Sequence, residues 1–309
     1  ALIFLIVIHK LEYFLNSKII GEKLGVAHLL EGSVRRVGGM VRVSATLVNA
    51  ADGSTLWSQH YDRPYQDLFT LQDDITRAVA DALKAKLLDS GNGVAQSDRP
   101  PSGNLDAYDA LLQGRKYAER RNRADYLQAV DYYQQAIKLD PDYAMAYARL
   151  AIAQQWFNDW AAGADERRLA SAQARANAHK AIELAPQSAV ALGALGINQA
   201  WSDFDYPSAD ATLKKAVALD PSNPETLYQL ADVTACLGRL DEGIAMMSRV
   251  LAMEPLNASF HFYTGQFLLA AGKPDAAVAE LNRAIELQPG AAGFHAYLAI
   301  ALLQLGQSD

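Results

Sequence analysis

The stretch Ala136-Ile-Lys-Leu-Asp-Pro141 decides how this chain folds, because it comes back. It returns as Ala181-Ile-Glu-Leu-Ala-Pro186, Ala216-Val-Ala-Leu-Asp-Pro221, Val250-Leu-Ala-Met-Glu-Pro255 and Ala284-Ile-Glu-Leu-Gln-Pro289. The prolines stand 45, 35, 34 and 34 residues apart. A fixed period of this size marks stacked supersecondary units, none of which can bury its apolar face alone. Proline has no N–H to donate and clashes with the preceding turn, so it ends a helix. Each phrase therefore reads as the last turn of the second helix in a helix–turn–helix unit. Small residues recur at matched places and let the paired helices approach closely. They include Gly114, Ala129 and Ala136 in the first unit, Gly196, Ala209 and Ala216 in the third, and Gly265, Ala277 and Ala284 in the fifth.

Together these residues resemble the tetratricopeptide repeat, whose pattern sets small residues against large ones in two helices and closes on proline. Leu150-Ala151 with Ala181, Leu195-Gly196 with Leu213, Leu230-Ala231 with Gly243, Met247 and Val250, and Thr264-Gly265 with Leu281 fit it, as does Tyr133 in the first unit. A sixth unit starts near Ala292 with Leu298-Ala299 and breaks off at Asp309 inside its expected second helix. An array of this kind carries a polar cap, so further sequence is expected to follow. The 45-residue interval holds about 11 extra residues, placed near Trp156-Phe157-Asn158-Asp159-Trp160 through Arg168. They are expected either as lengthened helices or as a protruding loop, with the aromatics packed on the next repeat or offered to a partner.

The resemblance implies a right-handed superhelix whose first helices line a groove. With the family register carried over, the candidate groove residues are Met145, Ala148, Ile152 and Gln155, then Val190, Gly193 and Ile197, then Glu225, Tyr228 and Asp232, then Ser259, Phe262 and Gln266. No Lys or Asn stands at these places to clamp a terminal carboxylate. An apolar groove with an acidic middle suits an amphipathic or extended peptide with hydrophobic side chains and a basic residue. The partner is a separate protein, another domain of the same parent, or a second copy of the chain.

The first third is different. Ala27–Val37 alternates as a strand, Gly38-Gly39 turns, and Met40–Val48 alternates cleanly, with Val41, Val43, Ala45 and Leu47 on one face. Asp52-Gly53 is a second turn, Thr55–Tyr61 a third strand, and Leu68–Leu88 an amphipathic helix. A short helix is expected over Asn16–Leu24. Residues 89–104, rich in Gly, Ser, Asn and Pro, read as a linker. The expected organisation is a small α+β module over 1–88, a linker over 89–104, and an all-α array over 105–309.

The phrases Ile20-Gly-Glu-Lys-Leu-Gly-Val-Ala-His-Leu-Leu-Glu-Gly-Ser-Val-Arg-Arg36, Val41–Gly53, Leu56-Trp-Ser58, Tyr61-Asp-Arg63 and Asp67–Ile75 look like the TolB-N-terminal-like (FlgO-like) module of bacterial signalling proteins. Members of that family set the module before tetratricopeptide repeats. Upstream they carry a class III nucleotide cyclase, a winged-helix regulator or a kinase, often across a membrane helix. The resemblance thus implies a periplasmic place if such a helix exists, and a cytoplasmic one otherwise. Residues before Ile20 depart from the family, and Ala1–Ile8 reads as a strand, a membrane-helix remnant, or a truncated or shifted frame.

Composition narrows function further. The 309 residues carry 28 Lys+Arg against 35 Asp+Glu, a net charge of −7. All of it falls in residues 105–309, with 17 against 24, since residues 1–104 hold 11 of each sign. A basic face for nucleic acid is missing. The lone cysteine, Cys236, rules out an internal disulfide. No phosphate-binding glycine loop, zinc His-Glu-x-x-His, serine elbow or kinase catalytic loop is present, and Asp203-Phe204-Asp205 lacks the glycine of Asp-Phe-Gly. No cofactor is expected. The region reads as a non-catalytic interaction and sensing part of a signalling protein. The alternatives are a fragment of a cyclase, enzymatic by parentage, and a stand-alone envelope assembly scaffold.

Single residues are read in the same terms. His261 and His295, 34 apart, are expected in the large-residue slot of successive first helices. Cys236 is expected as a small buried or groove-lining residue. Arg35, Arg36 and Arg42 read as solvated strand surface, and Arg115-Lys116, Arg120-Arg121 and Arg123 as a solvated helix end.

Overall fold

The computed structural model describes residues 3–7, 26–83, 98–120, 122–157 and 163–306. The expected helix over Asn16–Leu24 and most of the expected linker lie outside them. The chain divides into two compact units, 1–91 and 92–309.

The first unit is a sheet of four strands in the order β1-β2-β3-β4, with β1 Ile3–Val7, β2 His28–Val37, β3 Met40–Asn49 and β4 Thr55–Pro64. The three later strands form the two expected hairpins. β2 and β3 pair from His28↔Asn49 to Val37↔Met40, around Gly38 at φ +60. β4 returns antiparallel, with a bulge at Leu47/Val48. Ile3–Val7 adds a fourth strand, parallel to β2 from Ile3↔His28 to Val7↔Gly32. A strand was one of the expectations for Ala1–Ile8, and Ile3–Val7 forms one. The β3 alternation places Val41, Val43, Ala45 and Leu47 in the core, as its period of two requires. Helix α1 (Leu68–Ala82) covers that face, Val79 meeting Leu30 and Leu47, and Leu71 meeting Val41, Val43 and Tyr61.

The second unit is built from helices in pairs: α2 Leu105–Ala118 with α3 Arg123–Leu139, α4 Ala144–Phe157 with α5 Ala164–Leu184, and α6 Ala189–Trp201 with α7 Tyr206–Leu219. They continue as α8 Pro224–Cys236 with α9 Leu240–Met253, α10 Ala258–Ala270 with α11 Pro274–Leu287, and α12 Ala292–Gln304. Caps punctuate them as the sequence dictates. The side chains of Asn104, Asn122, Ser188, Asp205, Asn223 and Asn257 accept from first-turn backbone N–H groups, each typically worth about 1 kcal/mol.

Four of the five described pairs close on a contact between a small and a large residue. Gly114 faces Tyr133, Gly196 faces Leu213, and Gly265 faces Leu281, so close that a Cβ at any of these glycines would overlap the opposing side chain. The pair α8–α9 solves the same register with Ala231 and Met247, both without exposed surface. In α4–α5 the register places Ala151 with Ala178, and the buried face of α5 is all alanine: Ala170, Ala174, Ala178 and Ala181. Part of the extra length lies in α5, which runs to 21 residues against 14 in α7, α9 and α11, while residues 158–162, where a protruding loop was the other expectation, lie outside the described residues.

The turns inside the pairs repeat as well. Gly238, Gly272 and Gly306, spaced by 34, all have positive φ, where a side chain is disfavoured. The register position one repeat earlier is Phe204, at φ 57 and 70% exposed.

Residues 98–104 are fastened to the array. Asp140 accepts from Ser102 N (3.0 Å) and Ser102 Oγ (2.7 Å), Arg115 pairs with Asp98 at 2.6 Å, and the Tyr143 hydroxyl donates to the Asp98 carbonyl.

Candidate functional site

Successive first helices pack on one another, α4 on α6 and α6 on α8, with lighter contact between α10 and α12, whereas successive second helices do not pack on one another in this way. The array therefore bends with its first helices inside, and any groove lies along them. That seam determines how much of each expected groove residue stays accessible. Met145, Ile152, Gln155, Val190, Ile197 and Tyr228 are buried, as are Ala148 and Gly193. Their side chains fill the seams between helices and offer little surface to a partner. Gln155, for example, accepts a bond from Ser202 Oγ at 2.7 Å, tying α4 to the end of α6. Gly193 sits against Thr226 and Gln229 of α8.

Glu225, Asp232, Ser259, Phe262 and Gln266 keep part of their surface. They lie on α8 and α10, so the accessible strip is concentrated in the later half of the wall. Aromatic residues missed by the register carry-over join it. Tyr228 stacks on Tyr263 with centroids 4.5 Å apart and planes 17° apart, and Phe262 meets Phe294 at 4.7 Å and Tyr297 at 5.2 Å. Tyr263 and Tyr297 are half-buried and stand 34 residues apart. That spacing was the available signal, since one register position occupied twice by tyrosine makes a stripe across neighbouring helices.

The acidic middle splits into two unlike carboxylates. Glu225, in the first turn of α8, is ion-paired with Arg149 of α4, two repeats away in sequence. Arg149 is 15% exposed. Burial opposes its charge, but Glu225 outweighs burial and holds its pKa above the usual guanidinium range. Helix α6 lies between the two partners in sequence, so this pair closes the wall across it. Asp232, two turns further along α8, has no such partner among the described residues. It is half-buried, and burial pushes its pKa up to about 6.

The remaining candidates serve structure. His261, buried, lies with Nδ1 2.6 Å from Glu280 Oε2 and Nε2 3.0 Å from the Pro255 carbonyl. Both partner atoms only accept, so the imidazolium, with two donors, satisfies both. His295 repeats the second contact, 3.0 Å to the Pro289 carbonyl, but is exposed. Of the two expectations for Cys236, the buried one is not realised. It is the last residue of α8 and exposed, because the turn at Gly238 begins before the next repeat can cover it. Trp156, half-buried, packs against the apolar clusters of both α4 and α8, bridging repeats. Arg115, Arg120 and Arg123 pair with Asp98, Asp125 and Glu166. Arg42 pairs with Asp62 at 2.7 Å, and Arg36 lies 3.6 Å over the Tyr65 ring. Among the described residues no group of three or more His, Cys, Asp or Glu could hold a metal ion, and no described helix is long and apolar enough to cross a membrane.

Comparison with known proteins agrees with this geometry. Family models described as tetratricopeptide repeat match residues 121–143, 228–292 and 268–309. The solved structure of TTC0263, a thermophilic TPR protein of Thermus thermophilus, covers 64% of this chain and 99% of its own at TM-score 0.53 and 20% identity. That of PilW, a type IV pilus biogenesis factor, covers 66% of this chain and 88% of its own at TM-score 0.50 and 18% identity. In sequence, the chain is 32% identical over 145 residues to a protein of Rhizobium meliloti (strain 1021) named putative adenylate cyclase 3. That match covers 46% of this chain and spans 24% of the relative's length. The helical unit, with its 34-residue register, its inward first helices and these likenesses, has the fold of a tetratricopeptide-repeat solenoid.

Proposed function

We propose that this chain is the non-catalytic, protein-binding part of a bacterial signalling protein, and that its solenoid holds a peptide segment of a partner along α8, α10 and α12. One observation carries the reading. The inner wall is closed by packing over α4 and α6, yet keeps a half-accessible strip of Asp232, Phe262, Tyr263, Gln266 and Tyr297 further on. Aromatic residues supply large contact area at low cost in conformational entropy, and they anchor interfaces. An array whose remaining inner surface is spent on its own seams leaves this strip as the place to bind.

The test is a display selection on the full chain with a random 12-residue peptide library. Enriched peptides should lose most of their affinity to Tyr263→Ala, while the far-UV circular dichroism of the variant stays helical. Peptides that enrich and bind Tyr263→Ala as well as the parent would place the binding surface elsewhere.

The finer reading is that the parent is a nucleotide cyclase with a TolB-N-terminal-like module before the repeats. It is supported by the partial likeness to putative adenylate cyclase 3 and by a small sheet preceding the helices. Sequencing several hundred codons on each side of the gene decides it. A cyclase, winged-helix or kinase domain in frame supports the signalling parentage, and its absence in all frames rejects it.

A further inference from the structure

Around the accessible strip the carboxylates already have cations, with one exception. Glu225 has Arg149, Asp203 has Arg175, and Asp210 has both Lys214 (2.6 Å) and Arg239. Asp232 has none among the described residues, although it is half-buried on α8 like Glu225. Its neighbours do not compensate. Tyr206 and Cys236, the titratable groups close enough to feel it, are themselves weak acids with raised pKa values: burial comes first for both, followed by Asp232 for Cys236 and by Cys236 and then Asp232 for Tyr206. Two amide oxygens of the same helices, Gln199 Oε1 on α6 and Gln229 Oε1 on α8, are also buried without a donor. One turn before Asp232 on α8 stands Tyr228, stacked on Tyr263.

A half-buried carboxylate with no cation beside it, one helical turn from a stacked tyrosine pair, matches a cation that arrives with a partner. Solvated sodium would gain little there, whereas an arginine or lysine brings several N–H donors on an apolar stem that can lie along the rings.

We infer that Asp232 is the anchor for an arginine or lysine side chain of the bound peptide, so that the partner segment combines one fixed basic residue with apolar residues lying on Phe262, Tyr263 and Tyr297. This rests on the peptide-binding reading above and sharpens it to a partner chemistry.

The test uses the full chain and the peptides enriched from the 12-residue library. An enriched peptide is synthesised with its basic residue intact and with citrulline, its uncharged near-isostere, or norleucine where the residue is lysine. Both are measured by fluorescence anisotropy against the parent chain and Asp232→Asn. The asparagine variant keeps the shape and removes a half-buried unpaired charge, so it should fold, which a thermal melt verifies. Enriched peptides should share one basic position. Losing the peptide's charge, or the Asp232 charge, should each weaken binding on the order of tenfold, and losing both should cost little more than losing one. Peptides that bind through Tyr263 but show no shared basic position, or that ignore Asp232→Asn, overturn the anchor and leave the groove standing. If no peptide enriches, or binding ignores Tyr263→Ala, both readings fall.

Discussion

The glycine–leucine contact inside the third repeat can be turned into a quantitative test of how the array is packed. A Cβ added at Gly196 would stand 2.6 Å from Leu213 Cγ and 2.8 Å from Cδ2. Neither atom can swing away freely, because Leu213 has no exposed surface. In an open helix interior, glycine to alanine gains about 1 kcal/mol. Overpacking a tight core costs about 1–3 kcal/mol. The overlap is deep and the leucine is hemmed in, so the cost should win, and Gly196→Ala should destabilise by about 1 kcal/mol. The following repeat shows the remedy, since it keeps alanine at this register, Ala231, and faces it with the unbranched Met247. Leu213→Met is close to volume-neutral and should cost less than about 1.5 kcal/mol alone. The double variant should recover most of the Gly196→Ala loss, giving a coupling of about 1 kcal/mol. Urea unfolding followed by circular dichroism at 222 nm measures all four corners of the cycle. Gly293→Ala is the control, because it adds a methyl where nothing lies within 4 Å and should be neutral or stabilising. Additivity within about 0.3 kcal/mol, or a gain in stability for Gly196→Ala alone, would refute the idea that small and large residues are matched pair by pair.

Three further outcomes follow from the same structure. Phe204→Gly should raise stability by about 1 kcal/mol, since it places glycine in the left-handed turn conformation that Gly238 and Gly272 adopt and gives up an exposed ring; a lower melting temperature would show that the phenyl ring holds the turn. Asp232→Asn should stabilise the chain at pH 7. Its carboxyl, raised from 3.8 to about 6, binds more protons folded than unfolded in that interval, so stability should fall as pH rises from about 4 to 7, by roughly 3 kcal/mol. The variant should flatten this slope in pH-dependent melts, and an unchanged slope defeats the assignment. His261 runs the other way. Burial disfavours its charge, but the hydrogen bonds to Glu280 and the Pro255 carbonyl prevail and raise its pKa. Its contribution is complete below pH 6.5 and disappears as pH climbs through the raised value. His261→Gln should therefore cost more at pH 6 than at pH 9, and equal losses at both would contradict the imidazolium reading.

The sequence made the period legible because the features that repeat are local. A proline stops a helix, an asparagine caps one, and a small residue meets a large one some twenty positions on, all within one repeat. The strands of the first unit were legible for a similar reason: alternation over Met40–Val48 and turns at Gly38 and Gly53 are written in consecutive residues. The parallel pairing of Ile3–Val7 was not, since its partner His28–Gly32 lies beyond a long intervening segment and parallel pairing leaves no turn to read. Inner-wall exposure was hidden for the same cause. Whether Met145 or Ile197 faces a partner depends on how closely the next first helix approaches, which small residues such as Ala148 and Gly193 decide from another repeat.

The Arg149–Glu225 pair shows what this means for function. The two residues are 76 positions apart, and no periodic pattern links an arginine in one repeat to a glutamate two repeats later. Read by register alone, Glu225 and Asp232 look like one acidic patch. The fold makes them opposites, one neutralised inside the wall and the other left half-buried and unpaired. Breaking a paired buried charge is strongly destabilising because it strands the partner, whereas removing an unpaired one relieves the structure. Arg149→Met should therefore lower stability where Asp232→Asn raises it, although both remove one charge from the same inner surface. Opposed signs of these two substitutions are the thermodynamic signature expected if Asp232, unlike Glu225, is neutralised from outside the fold, as the proposed anchor requires.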